Sequence, residues 1–284
     1  MKRFRLLAAM AAALAVVVAI KAAQSAPTGY RTPGVTTPDV RLELPPHSAA
    51  IVADARTGRV LYADRPHRRL LIGSAAKLMT ALVTLERVSL DDTFAAPPYA
   101  GDPTESRIGL GSGEQLLVVD LLRGLLVVSG NDAAVALAEG VAGSQEAFVE
   151  LMNERAQELG MGDTRYGNPI GLDDGTGSSA ADLVTLTREL RRHDAFREIV
   201  AAPEVTLTSG AVQRTLENTN DLLGGGLQVD GVKTGHTKAA GYVLVGSATR
   251  DGRSVISAVL GTRSEADRDR ATLTLLRHGL RRTR

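Results

Sequence analysis

The sequence contains no cysteine and no tryptophan, and aromatic residues make up only 3% of its 284 positions. Without cysteine there is no disulfide framework, no thiol nucleophile and no thiolate metal site, although the redox character of the compartment is left open. The scarcity of aromatics, with a formal net charge of +1, removes the stacking platforms and the basic footprint on which nucleic-acid binding depends. His47, His67, His193, His236 and His278 are scattered and no His-Glu-x-x-His string occurs, so no metal and no cofactor are expected. A Gly-x-Ser-x-Gly elbow is absent too, which argues against a Ser-His-Asp hydrolase. Gly224-Gly225-Gly226 lacks the Lys-Ser/Thr ending of a phosphate loop and reads as a flexible turn.

What is present fits a globular chain. With 44% hydrophobic and 23% charged residues, the length suffices for one large domain or two small ones. Residues 1–26 read as a targeting segment: Lys2, Arg3 and Arg5 precede an apolar run over 6–20, and Ala23-Gln24-Ser25 offers small residues for cleavage. As a helix that run spans about 22 Å, short of a hydrocarbon core of roughly 30 Å, which favours a cleaved export signal. An uncleaved anchor is the alternative, with Lys21 snorkelling to lengthen the span. Either way the remainder is expected outside the cytoplasm, secreted or in the wall or periplasmic space. Residues 27–46 hold five of the 11 prolines and read as an extended linker, so the folded domain is expected over 47–284.

Within that domain, apolar runs at 48–55 and 59–63 flank Arg56-Thr57-Gly58, and runs at 242–248 and 254–260 flank Asp251-Gly252. Both patterns predict hairpins. Between them apolar residues recur at helical spacing after Lys77, over 118–127, 133–141 and 148–159, with a last helix over 265–280. Strands at both ends with helices between them predict an α+β fold: one antiparallel sheet built from both chain ends, helices packed on it, and an inserted helical lobe. The Arg-rich end, with Arg277, Arg281, Arg282 and Arg284, reads as a solvated helix terminus.

Three strings carry chemistry: Ser74-Ala75-Ala76-Lys77, Ser129-Gly130-Asn131 and Lys233-Thr234-Gly235, the last running on to His236-Thr237. Singly each has an ordinary reading, as a helix cap, a turn between helices and a strand end. Their order, their spacing and their placement on suitable elements argue for a site. On a helix, positions three apart share a face, so Ser74 and Lys77 point together. A serine hydroxyl is a poor nucleophile until a base takes its proton, and Lys77 is the base that the spacing supplies. To serve near neutrality its pKa must fall by about three units, through burial or a neighbouring cation such as Lys233. Ser129 and Asn131 bring a hydroxyl and an amide, suited to proton transfer and to orienting a substrate amide. Lys233 and Thr234 suit a substrate that ends in a carboxylate.

The trio resembles the motif set of penicillin-binding proteins and class A β-lactamases. Its contexts are similar to those of the serine D-alanyl-D-alanine carboxypeptidases, the low-molecular-mass penicillin-binding proteins: Ser74-Ala-Ala-Lys-Leu-Met-Thr-Ala-Leu82, Leu125-Leu-Val-Val-Ser-Gly-Asn-Asp-Ala-Ala134, Gly167-Asn-Pro-Ile-Gly-Leu172, Asn218-Thr-Asn-Asp-Leu-Leu223 and Val229-Asp-Gly-Val-Lys-Thr-Gly-His-Thr237. The resemblance runs from about residue 48 to 263 and implies a β-lactamase/transpeptidase-like fold. It implies that Ser74 forms the acyl-enzyme, Lys77 accepts the proton, Ser129 relays it and Asn131 positions the substrate. Lys233, Thr234 and Gly235 would bind substrate, the backbone N–H groups of Ser74 and His236 would form the oxyanion hole, and Arg263 would lie near the substrate carboxylate. The implied activity is removal of the terminal D-alanine from peptidoglycan stem pentapeptides, with β-lactams as covalent inhibitors. The implied partners are stem peptides; no nucleic acid is expected, and a membrane only through the N-terminal segment.

Two departures stand out. The chain ends about 20 residues past the last expected strand, with room for one helix where many relatives carry a second domain and a C-terminal membrane helix. The first motif also reads Gly-Ser-Ala-Ala-Lys, where relatives commonly have Ala before the serine and Thr before the lysine. Three alternative activities stay open: a D,D-endopeptidase on cross-links, a β-lactamase, and a non-catalytic sensor of peptidoglycan or β-lactam. The Glu-x-x-x-Asn string that supplies the deacylating base in class A enzymes does not begin at Glu146, Glu150, Glu154 or Glu158, so slow release of β-lactams is expected.

Overall fold

Asp54 closes the first hairpin by accepting hydrogen bonds at Oδ1 from the backbone N–H and the hydroxyl of Thr57, both at 2.7 Å, while Gly58 takes the positive φ of +75° that ends the turn. The computed structural model describes residues 42–283. In chain order its elements are β1 (Ala49–Asp54), β2 (Val60–Asp64), β3 (Leu70–Leu71), a 3₁₀ turn (Gly73–Ala76), α1 (Lys77–Arg87), β4 (Thr93–Ala95), β5 (Gln115–Leu117), α2 (Val118–Val127), α3 (Asn131–Ala142), α4 (Gln145–Glu158), β6 (Gly177–Ser178), α5 (Ala180–Leu190), α6 (Asp194–Ala201), β7 (Glu204–Leu207), β8 (Arg214–Glu217), β9 (Val229–Thr237), β10 (Gly241–Arg250), β11 (Arg253–Thr262) and α7 (Glu265–Arg282).

Five strands form the main sheet in the order β2-β1-β11-β10-β9, antiparallel throughout. The expected α+β architecture is therefore present, with N-terminal β1 paired to C-terminal β11 and both expected hairpins formed. Every residue of β1 is buried because both faces of the sheet are covered. Ala49, Ile51 and Ala53 face the large core shared with α1, α2, α3 and α5. Ala50 and Val52 face the smaller core under α7, where Leu275, Leu276 and Leu280 pack. This period-two alternation lets one short strand serve two cores.

The helical lobe rests on the larger core. Leu121, Leu122 and Leu125 of α2 and Ala133, Ala134 and Leu137 of α3 are fully buried there. Two acidic side chains fasten its loops. Asp120 accepts from the backbone N–H groups of Thr208 and Ser209, at 2.9 and 2.8 Å. Asp132 accepts from those of Ile108, Gly109 and Leu110 at 3.0, 2.8 and 3.0 Å.

Folded structure begins ahead of the expected boundary at His47. Leu42 and Leu44 pack against the core under α7, and Pro45 O accepts from Ser48 N at 2.9 Å, so the last residues of the expected linker belong to the packed unit. The expected targeting segment, residues 1–26, and the linker through residue 41 lie outside the described residues.

Candidate active site

Ser74 sits in the 3₁₀ turn that precedes α1, and Lys77 is the first residue of α1. The sequence reading placed both on one helix. In the tighter 3₁₀ geometry residues three apart eclipse, which aligns the two side chains more directly than an α-helix would. Lys77 Nζ lies 3.0 Å from Ser74 Oγ and donates to Ile170 O at 3.1 Å. That carbonyl comes from the loop over 167–172, where Gly171 has a φ of +85° and a Cβ would stand 2.1 Å from Gly73 O. Only glycine permits this approach. Lys77 is fully buried. Burial, then the charge of Lys233, hold its pKa well below the lysine range, against smaller opposing effects of Glu105 and Asp132. Burial and that charge both favour the deprotonated amine, the form a base needs.

Ser129 lies just past α2 with a φ of +64°, a left-handed conformation that costs a non-glycine residue about 1 kcal/mol. Its hydroxyl is buried and has no hydrogen-bond partner among the described residues, so it is free to serve a ligand. Asn131 opens α3, 2% exposed, with its backbone N–H on Ser106 O at 2.8 Å and its Nδ2 donating to Glu105 Oε2 at 2.9 Å.

Lys233, Thr234 and Gly235 lie on β9, the edge strand. A Cβ on Gly235 would stand 2.8 Å from Ile72 O and 3.2 Å from Ala75 N, so its absence lets the strand run against the serine turn. The same approach brings the backbone N–H of His236 beside the turn, since a Cβ on Gly73 would lie 3.4 Å from His236 N. The His236 ring itself stacks on Tyr242 with centroids 4.1 Å apart. Lys233 is buried and donates to Thr234 O at 3.1 Å. Burial and the charge of Arg268 lower its pKa to about 7. Thr234 Oγ1 lies 2.8 Å from Thr219 Oγ1.

A cleft of about 370 Å³ joins these parts, lined among others by Ser74, Ser129, Asn131, Thr234, Gly235 and His236. A larger hollow of about 640 Å³ lies between α7 and the turn between β10 and β11, but none of the three strings reaches it. The polar convergence therefore marks the smaller one as the site.

Two of its residues were missed from sequence, and one expected residue is misplaced. Arg263 is exposed and does not line the cleft. Ser264 caps α7 by accepting from Asp267 N at 3.1 Å, and the first turn of that helix delivers Arg268 instead, 3% exposed and bonded to Glu265 and Asp269 at 2.7 Å each. Glu105 lines the opposite, helical-lobe wall. Tyr99 OH and Asn131 Nδ2 both donate to its Oε2. Ser264 followed by Asp267 is a capping pattern from which the start of α7, and so the place of Arg268, could have been found; nothing in Pro103-Thr104-Glu105-Ser106 announces a site.

A family model described as D-alanyl-D-alanine carboxypeptidase matches residues 40–264. The D-alanyl-D-alanine carboxypeptidase DacF of Bacillus subtilis is 34% identical over 235 residues, covering 80% of this chain and 60% of its own length. The chain thus spans about three-fifths of the length of such curated relatives. Among solved structures, the Streptomyces K15 DD-transpeptidase superposes with a TM-score of 0.77 at 29% identity, covering 82% of this chain and 96% of its own. Penicillin-binding protein D2 of Listeria monocytogenes, in its ampicillin-bound form, gives 0.75 at 33% identity, covering 85% of this chain and 100% of its own.

Proposed function

Since the chain belongs to the D-alanyl-D-alanine carboxypeptidase family, we propose that it removes the terminal D-alanine from peptidoglycan stem pentapeptides through a Ser74 acyl-enzyme, and that it does so outside the cytoplasm. The observation that carries this reading is the buried Lys77 amine 3.0 Å from Ser74 Oγ, with its pKa held well below the lysine range. As the hydroxyl proton passes to Lys77, Oγ attacks the carbonyl carbon of the penultimate D-alanine. The N–H groups of Ser74 and His236 stabilise the oxyanion of the tetrahedral intermediate. On its collapse the C–N bond breaks, and the leaving amine takes the proton from Lys77 by way of the Ser129 hydroxyl. Water then hydrolyses the ester and frees Ser74.

Asn131 orients the substrate amide. Lys233 and Thr234 receive the terminal carboxylate with Arg268 behind them, in the role first expected of Arg263. The same geometry accepts a β-lactam as a mimic, in keeping with the ampicillin-bound relative. A second reading is favoured by the nearly full-length match to the K15 DD-transpeptidase: transfer of the acyl group to an amine in place of water. Incubation with a D-Ala-D-Ala pentapeptide, alone, with an amine acceptor, or replaced by a cross-linked dimer, separates these readings by product mass. The tetrapeptide and free D-alanine are expected; products found only with the acceptor would make it a transpeptidase, and only from the dimer an endopeptidase.

A further inference from the structure

The Glu105 carboxylate has no part in the mechanism above, yet it lines the cleft. Its hydrogen-bond partners are neutral donors: Tyr99 OH, Asn131 Nδ2 and the backbone N–H of Asp102 at 3.2 Å. These bonds favour the ionised form and hold its pKa below the usual glutamate value despite partial burial. Among the described residues it makes no ion pair, whereas Glu114, Glu189 and Glu265 each meet an arginine. The cleft is thus divided by charge. The wall from β9 and α7 carries Arg268, with Lys233 buried beside it, and the wall from the helical lobe carries a carboxylate that is in no ion pair among the described residues.

We propose that Glu105 recognises an ammonium group on the substrate residue immediately before the D-Ala-D-Ala pair. The inference rests on the carboxypeptidase reading and deepens it by naming a substrate feature. With the terminal carboxylate at Lys233 and the scissile carbonyl at Ser74, the chain leads away along the lobe wall. Asn131 Nδ2 has two N–H bonds. One goes to Glu105, and the amide also meets the Tyr99 hydroxyl, which fixes this side chain beside the carbonyl of that preceding residue. A side chain on the same residue then lies within reach of the Glu105 carboxylate. A free ammonium gains a charged partner there, whereas an acylated one loses it. The site would therefore favour stem peptides whose side-chain amine has not been cross-linked. A purely structural role, holding Asn131 in place, needs only an acceptor oxygen, which glutamine also provides.

The test compares Nα-acetyl-L-Lys-D-Ala-D-Ala with its Nα,Nε-diacetyl analogue, in wild type and in Glu105→Gln. In wild type kcat/KM should favour the free ammonium by about fivefold, the size expected of a half-exposed ion pair, and Glu105→Gln should bring the two peptides to parity. Parity in wild type, or a preference that survives in Glu105→Gln, overturns the assignment. If neither peptide is cleaved, the carboxypeptidase reading fails and the β-lactam pair decides for Glu105. Ampicillin carries an ammonium beside its side-chain amide and benzylpenicillin does not, so acylation followed by intact mass should favour ampicillin in wild type and lose that preference in Glu105→Gln. Equal acylation rates in wild type, or a preference that persists in the variant, overturn it.

Discussion

Lys77 and Lys233 are both buried beside one cleft, yet the proposed chemistry needs the first neutral and the second charged. Both pKa values are lowered, Lys77 well below the lysine range and Lys233 to about 7. For Lys77 the active form is the deprotonated one, so kcat/KM for a carboxylate-bearing peptide should climb as pH rises through its depressed pKa. For Lys233 the active form is the protonated one, and kcat/KM should fall as pH rises through about 7. In kcat the alkaline limb should move to higher pH, because a bound carboxylate holds the proton on Lys233. Steady-state profiles of wild type and Lys77→Ala check this: the variant should lose activity at every pH, and a wild-type profile with no alkaline fall would remove the charged role of Lys233. The trio was legible because each string packs its functional groups within a few residues of one another in sequence. Arg268 and Glu105 were not, because their places depend on tertiary packing. Arg263 sits nearer the strand in sequence, but Arg268, in the first turns of the capped α7, is the arginine buried against the cleft.

The loop from Glu105 to Leu110 is the element whose order most directly controls the lobe wall. Three of its backbone N–H groups end on the Asp132 carboxylate, next in sequence to Asn131. Asp132→Ala leaves those donors without their acceptor and should cost about 2 kcal/mol of stability. It should also slow β-lactam acylation by about tenfold as Asn131 loses its fixed surroundings. Denaturant unfolding and acylation rates measure both; an unchanged midpoint would show that the carboxylate does not hold the loop. At this scale the sequence was most informative, since the hairpins and helices announce themselves by period and turn residues. It was silent on the 3₁₀ turn, which depends on close approach of Gly171 and Gly235 from distant parts of the chain. Leu42 and Leu44 were hidden by the prolines around them, and only their packing under α7 assigns them to the fold.

At the scale of the whole molecule, the site draws on segments spread over most of the folded chain. Ser74 follows the first hairpin, Ser129 and Asn131 join two lobe helices, Lys233 lies on the sheet edge and Arg268 on the last helix. The sheet that carries Lys233 exists only because β1 pairs with β11, residues about 200 positions apart in sequence. Acylation of Ser74 therefore reports the assembled fold as well as the nucleophile. The most direct measurement is the intact mass of wild type and Ser74→Ala after exposure to benzylpenicillin. Wild type should gain the mass of one penicillin molecule and keep it for minutes or longer, while Ser74→Ala should stay unmodified. An unlabelled wild type, or a Ser74→Ala protein that still takes up the label, would contradict a Ser74 acyl-enzyme.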